Sequence, residues 1–102
     1  MNAYTKIPLS GIRTMILCAY PLSIEEYGHC YYDGDGVNKS PEEAYVWYRV
    51  AQCAGNRNVD CLINYLSSKL TKAARDKLSS RARHIYERAL QTTPHQQECN
   101  FV

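Results

Sequence analysis

The sequence predicts an all-α domain, and three observations carry that expectation. Apolar residues recur at spacings of three and four in successive windows, the period of a helix with one buried face. Helix starts are written with the residues that favour them, at Pro21, Ser40-Pro41 and Thr71. Between the first two windows lies Asp33-Gly34-Asp35-Gly36, a stretch suited to a tight connection because glycine adopts positive φ without penalty. At 102 residues the chain has room for one domain, whose modest size limits how much surface it can bury.

Taken in order, residues 1–10 carry no clear pattern, and Gly11 to Tyr20 reads as a short helix that completes the core. Tyr20 to Tyr32 reads as a helix with Pro21 in its first turn and Ile24, Tyr27, Gly28 and Tyr31 on one side. A glycine inside a helix costs about 1 kcal/mol against alanine, so Gly28 implies the close approach of a neighbouring helix. The clearest start is Ser40-Pro41-Glu42-Glu43. Serine caps, proline fits the first helical position, and Glu43 stands where a capping box requires it. The helix that follows, about 41 to 54, carries Ala44, Trp47, Tyr48 and Ala51 on one face, and Gly55 supplies a left-handed stop.

A third helix is expected over Val59 to Leu70, with Val59, Leu62, Ile63 and Leu66 as its stripe. Thr71 caps a longer fourth helix to about Gln91, whose apolar face is Ala74, Leu78, Ala82, Ile85 and Ala89. Pro94 ends the order, leaving residues 94–102 as a flexible tail after a single helical domain over 1–93.

Charge is balanced overall at +2, too little to argue for nucleic acid, but it is unevenly placed. Six acids (Glu25, Glu26, Asp33, Asp35, Glu42, Glu43) face the single Lys39 in the first hairpin, whereas Lys69 to Arg88 holds seven bases against Asp76 and Glu87. Such polarity can steer a partner or favour head-to-tail contact between copies. Lys77, Arg81, His84 and Arg88 form a ridge beside the stripe of the fourth helix, suited to an acidic protein surface or a phosphate backbone. Its bland reading is a set of long stems that cover the core edge with their charges in water. Nine tyrosines against one Phe and one Trp place many ring-plus-hydroxyl side chains at a core boundary or interface. No segment is long and apolar enough to cross a membrane, and the chain is expected in the cytoplasm.

Chemistry-bearing motifs are sparse. A calcium loop starting at Asp33 would need an oxygen ligand at Val37, glycine at Asn38 and glutamate at Ala44, and all three fail. His29 beside Cys30 and His84 beside Arg83 lack a third catalytic member. No catalytic, metal or cofactor site is expected, and the chain reads as no enzyme. Five cysteines (Cys18, Cys30, Cys53, Cys61, Cys99) leave at least one thiol free in a monomer.

The segment 23–59 resembles the Sel-one-like repeat, a relative of the tetratricopeptide repeat. Gly28, Tyr31, Gly34, Gly36, Val37, Ala44, Trp47, Tyr48, Ala51 and Gly55 all stand at the family's spacing, with departures at Ser23, Tyr27, Ser40, Gln52 and Val59. The resemblance implies a tetratricopeptide-like antiparallel helical hairpin (repeat core 23–59) closed by a C-terminal capping helix pair over 59–91. It also implies a protein-binding role, since such hairpins stack into grooves that hold a segment of another protein. Arrays of this kind need about three units to bury a continuous core, so the N-terminal segment, a second copy or a partner must supply surface here. Short free-standing members are similar to bacterial immunity proteins, which makes neutralisation of a cognate toxin or effector the most concrete expectation. A general adaptor or scaffold subunit is the alternative, and a nucleic-acid-binding regulator using the basic fourth helix is the alternative from another class.

Aromatic anchors expected for a partner are Tyr27, Tyr32 and Tyr45 with Arg49, and on the ridge Lys77, Arg81 and Arg88. Trp47 and Tyr31 are assigned to internal packing. Secreted members of the family place a disulfide at positions corresponding to Gln52 and Asp60. Cys53 and Cys61 lie one place later on each helix, turned by about 100°, so separate thiols are expected.

Overall fold

A computed structural model describes residues 11–13 and 21–91. It is all-helical: a helical turn at residues 11–13, then α1 (Pro21–Asp33), α2 (Pro41–Cys53), α3 (Asp60–Ser67) and α4 (Lys72–Gln91), with no strand among the described residues. The expected tail 94–102, Cys18, Cys99 and most of the first twenty residues lie outside the described residues.

Local chemistry sets each boundary. The α1 ladder ends where the amides of Gly34 and Asp35 both donate to the Cys30 carbonyl at 2.8 Å, with Gly34 at φ +76° and Gly36 at +83°. At the start of α2 the Ser40 hydroxyl accepts from the Glu43 amide at 3.2 Å. The expected capping box is only half made. The Ser40 amide donates instead to the Tyr31 carbonyl at 2.9 Å, and the Glu43 carboxylate turns away to Arg81. At its far end α2 closes with Gly55 at φ +102°, the Asn56 amide donating to Ala51 and the Gly55 amide to Gln52, both at 3.0 Å. That pair of bonds is a Schellman motif and satisfies carbonyls the helix leaves open.

The third helix is shorter than the expected 59–70, because Val59 serves as its N-cap position and the chain turns after Ser67. The guanidinium of Arg75 donates to the carbonyls of Ser67 and Leu70 at 3.2 and 2.9 Å, so a side chain of α4 satisfies the end of α3. Thr71 caps α4 as expected, accepting from the Ala74 amide at 3.1 Å.

Helices α1 and α2 are antiparallel neighbours. The end of α1 meets the start of α2 through Tyr31 and Ser40, and the start of α1 reaches past the end of α2 through Glu25 and Asn56. Their contact explains Gly28: a Cβ there would stand 2.7 Å from the ring of Tyr48, which is fully buried. The ring of Trp47 packs edge-on against Tyr27 at 4.7 Å, and Tyr27 against Tyr31 at 5.5 Å. Trp47 is internal packing, as expected.

The sequence expected one buried face on α2, and the structure buries more. Tyr45, Val46 and Val50 join Ala44, Trp47, Tyr48 and Ala51 in the core, because α2 is the hub that packs on α1, α3 and α4 at once. Val59, Ile63 and Leu66 of the third segment, Ala82 and Ala89 of α4, and Ile12 of the N-terminal turn complete the cluster. Leu62, Leu78 and Ile85 are only partly buried against it.

Candidate functional site

Three places combine polar or aromatic groups in a way that bears on function. The first is a part-buried chain of hydrogen bonds. Tyr48 Oη lies 2.6 Å from His29 Nδ1, His29 Nε2 lies 3.2 Å from Glu25 Oε2, and the Asn56 amide donates to Glu25 Oε1 at 3.0 Å. With His29 neutral, the Tyr48 hydroxyl donates to Nδ1 and Nε2–H donates to Glu25, so every member has a partner. The side-chain Oδ1 of Asn56 accepts from the Asn58 backbone amide at 2.7 Å, fixing the α2–α3 turn onto the same chain. Exposure varies along it: the His29 side chain is 40% exposed and that of Glu25 14%, whereas Tyr48 is enclosed. Tyr48 is wholly buried, and burial, aided by the charges of Asp33 and Glu25, pushes its phenol well above the ordinary range. Cys30 next to His29 is likewise buried, and its thiol is pushed up by burial and then by Asp35, Glu26 and Asp33. A thiol held in its protonated form is a poor nucleophile, and the hydrogen bonds of Tyr48, His29, Glu25 and Asn56 tie α1 to the end of α2.

The second place is the outer face of α4. Of the residues expected to grip a partner there, Arg81 makes a bidentate ion pair with Glu43 of α2. This pair joins the acidic and basic groups of the sequence inside one molecule, which the charge distribution alone pointed outward. Lys72 pairs with Asp76, and Arg75 is committed to the α3 carbonyls. Lys77 and Arg88 are exposed on the same helix. A shallow polar hollow also lies on this helix, lined by Asp76, Ser79, Ser80, Arg83, His84 and Glu87, with an acid at either end.

Tyr45 and Arg49 belong to the α2–α4 boundary. Tyr45, expected to face solvent, is 3% exposed, and its hydroxyl is 3.2 Å from the Ser79 hydroxyl. The physical reason is the second packed face of α2. Arg49 is half-buried, its guanidinium 5.9 Å from the Tyr45 ring and donating to the side-chain Oε1 of Gln52 at 2.9 Å. Gln52 passes the contact on to Asp60 at 3.0 Å. Arg57 first, and then Gln52, hold the Asp60 carboxyl below its ordinary range. Cys53 and Cys61 are exposed free thiols flanking this polar pair. Tyr27 is a second correction: expected as an anchor for a partner, it is 5% exposed and sits between Tyr31 and Trp47.

The third place is a hollow of about 400 Å³ where the hairpin turn meets α3. Tyr32 and Asp33 come from the end of α1, Lys39 and Pro41 from the connection and start of α2, and Tyr65, Leu66 and Lys69 from α3 and the turn beyond it. Tyr65 is 51% exposed and is the large apolar side chain most open to solvent among the described residues. The Lys69 ammonium stands 5.2 Å from the centre of its ring. Of the anchors expected from sequence, Tyr32 alone lies here. Tyr65 was legible in principle, since it falls off the Val59–Ile63–Leu66 stripe and an aromatic off the stripe of a short helix faces outward. Comparison with known proteins finds no matching family model, no matching curated protein and no matching solved structure.

Proposed function

We propose that the protein is a protein-interaction module built on one Sel-one-like, tetratricopeptide-type hairpin with a C-terminal cap. The observation that carries the reading is the hollow at the junction of three helices, where exposed Tyr65 and Pro41 and half-buried Tyr32 stand over the core residue Leu66. Exposed aromatics in a concavity are the residues that supply most binding energy in protein interfaces. Support for the hairpin assignment comes from Gly28 against Tyr48, the positive-φ glycines Gly34, Gly36 and Gly55, and the Ser40 cap. The most concrete role is that of an immunity or antidote protein that covers and silences a cognate toxin or effector, with a general adaptor as the alternative. A nucleic-acid regulator is disfavoured by Arg81, Lys72 and Arg75, whose charges are spent on Glu43, Asp76 and the α3 carbonyls.

Capture of the tagged protein from its native cells, with light scattering for stoichiometry, tests this reading. The expected result is one protein partner in fixed ratio whose toxicity or activity falls when the two are co-expressed. A homodimer that captures nothing overturns it.

A further inference from the structure

We propose that the hollow at the hairpin turn receives an acidic segment of the partner, one large apolar side chain with a carboxylate next to it. The proposal rests on the interaction reading and specifies its chemistry.

Size and lining come first. A volume of about 400 Å³ lies at the small end of ligand-sized concavities and has room for a large apolar side chain together with its neighbours in the segment. Its lining is mostly apolar (Tyr32, Pro41, Tyr65, Leu66), so a polar side chain entering it would lose hydration without recompense.

Charge then selects the segment. Lys39 and Lys69 border the hollow, with Asp33 as its single acid. Among the described residues neither ammonium has a carboxylate within ion-pair distance, whereas Arg57, Lys72 and Arg81 all do. Lys69 rests over the Tyr65 ring, a contact that leaves its charge available to a carboxylate. An incoming Asp or Glu beside the buried apolar side chain would therefore meet two unpaired cations, and a basic segment would be repelled. A nucleic-acid strand could stack a base on Tyr65, but Asp33 on the rim and the aliphatic surfaces of Pro41 and Leu66 disfavour a phosphate backbone.

The test is selection of a phage-displayed random dodecapeptide library on the immobilised full chain, followed by binding of the winners as free fluorescent peptides. The expected winners carry Asp or Glu adjacent to Phe, Trp, Leu or Ile. Their affinity falls roughly tenfold or more with Tyr65→Ser, and Lys39→Glu with Lys69→Glu turns the selection toward Lys- and Arg-flanked peptides. These side chains are exposed, so unchanged thermal melts separate lost binding from lost folding. Winners without acidic residues, or winners indifferent to Tyr65→Ser, overturn the hollow while the interaction reading stands if the native partner is still captured. No winners and no captured partner overturn both. Two further results also overturn the proposal: a fluorescent dT12 strand that binds with the same Tyr65 dependence, and peptide affinity that rises when residues 92–102 are deleted, since the chain's own tail would then be the occupant.

Discussion

The two halves of the molecule are held together by different means. Between α1 and α2 the contact is aromatic and largely buried: Tyr27 packs on Trp47, Gly28 lets the ring of Tyr48 approach, and a part-buried chain from Tyr48 to Asn56 ties the polar atoms. Between α2 and α4 the buried residues contributed by α4 are two alanines, Ala82 and Ala89, helped by partly buried Leu78 and Ile85. Specific bonds complete that second contact, Tyr45 to Ser79 and Glu43 to Arg81. The difference teaches where stability resides. Large buried side chains stabilise by several kcal/mol each, whereas small ones and surface ion pairs add little. The hairpin is the rigid half, and the cap is the half that opens first.

Substitutions across that divide should differ in size. Trp47→Ala removes the centre of the aromatic contact and is expected to cost about 3 to 5 kcal/mol, read from denaturant midpoints. A cost below 1 kcal/mol would place the core elsewhere. Gly28→Ala gains about 1 kcal/mol of helix propensity but sets a methyl group against a ring that cannot move freely. A net loss of about 1 to 2 kcal/mol is expected, and a stabilised variant would mean the helices are farther apart.

Alkali, in contrast, should act on the hairpin. Burial, with the hydrogen bond to Tyr31 next, raises the Tyr27 phenol, and burial raises that of Tyr48, both well above the ordinary value near 10. The unfolded chain then releases protons that the folded chain keeps. Stability is full below about pH 10 and falls as pH rises above it, by up to about 1.4 kcal/mol per unit for each tyrosine. Melting temperature followed from pH 9 to 11 checks the slope, and Tyr27→Phe should flatten it. The smallest effect is expected at the cap, where Arg81→Ala breaks a half-exposed ion pair worth about 0 to 1 kcal/mol and sensitive to salt. Hydrogen exchange should then rise along α4 and stay unchanged in α1.

Much of the fold was legible because its boundaries are local. Ser40, Gly34, Gly55 and Thr71 act on backbone groups a few residues away, and a stripe at helical spacing needs only its own helix. What failed depended on neighbours. Tyr45 lies off the stripe of α2 yet is buried, because α4 covers a second face that no period within α2 announces. Glu43 and Arg81 stand 38 residues apart, so spacing could assign one to a capping box and the other to a free ridge but could not pair them. The hollow was the least legible, with only Tyr32 foreseen, since it exists where the end of α1, the start of α2 and α3 converge.

On the proposed reading, binding takes place where the cap meets the hairpin turn and not along the basic face of α4. Quantitative capture by Tyr65→Ser set against Lys77→Glu, two exposed substitutions on different helices, tests it most directly. Loss of the stoichiometric protein partner with Tyr65→Ser and its retention with Lys77→Glu is the expected result. Retention with Tyr65→Ser and loss with Lys77→Glu would rule out the hollow and move the binding surface to α4.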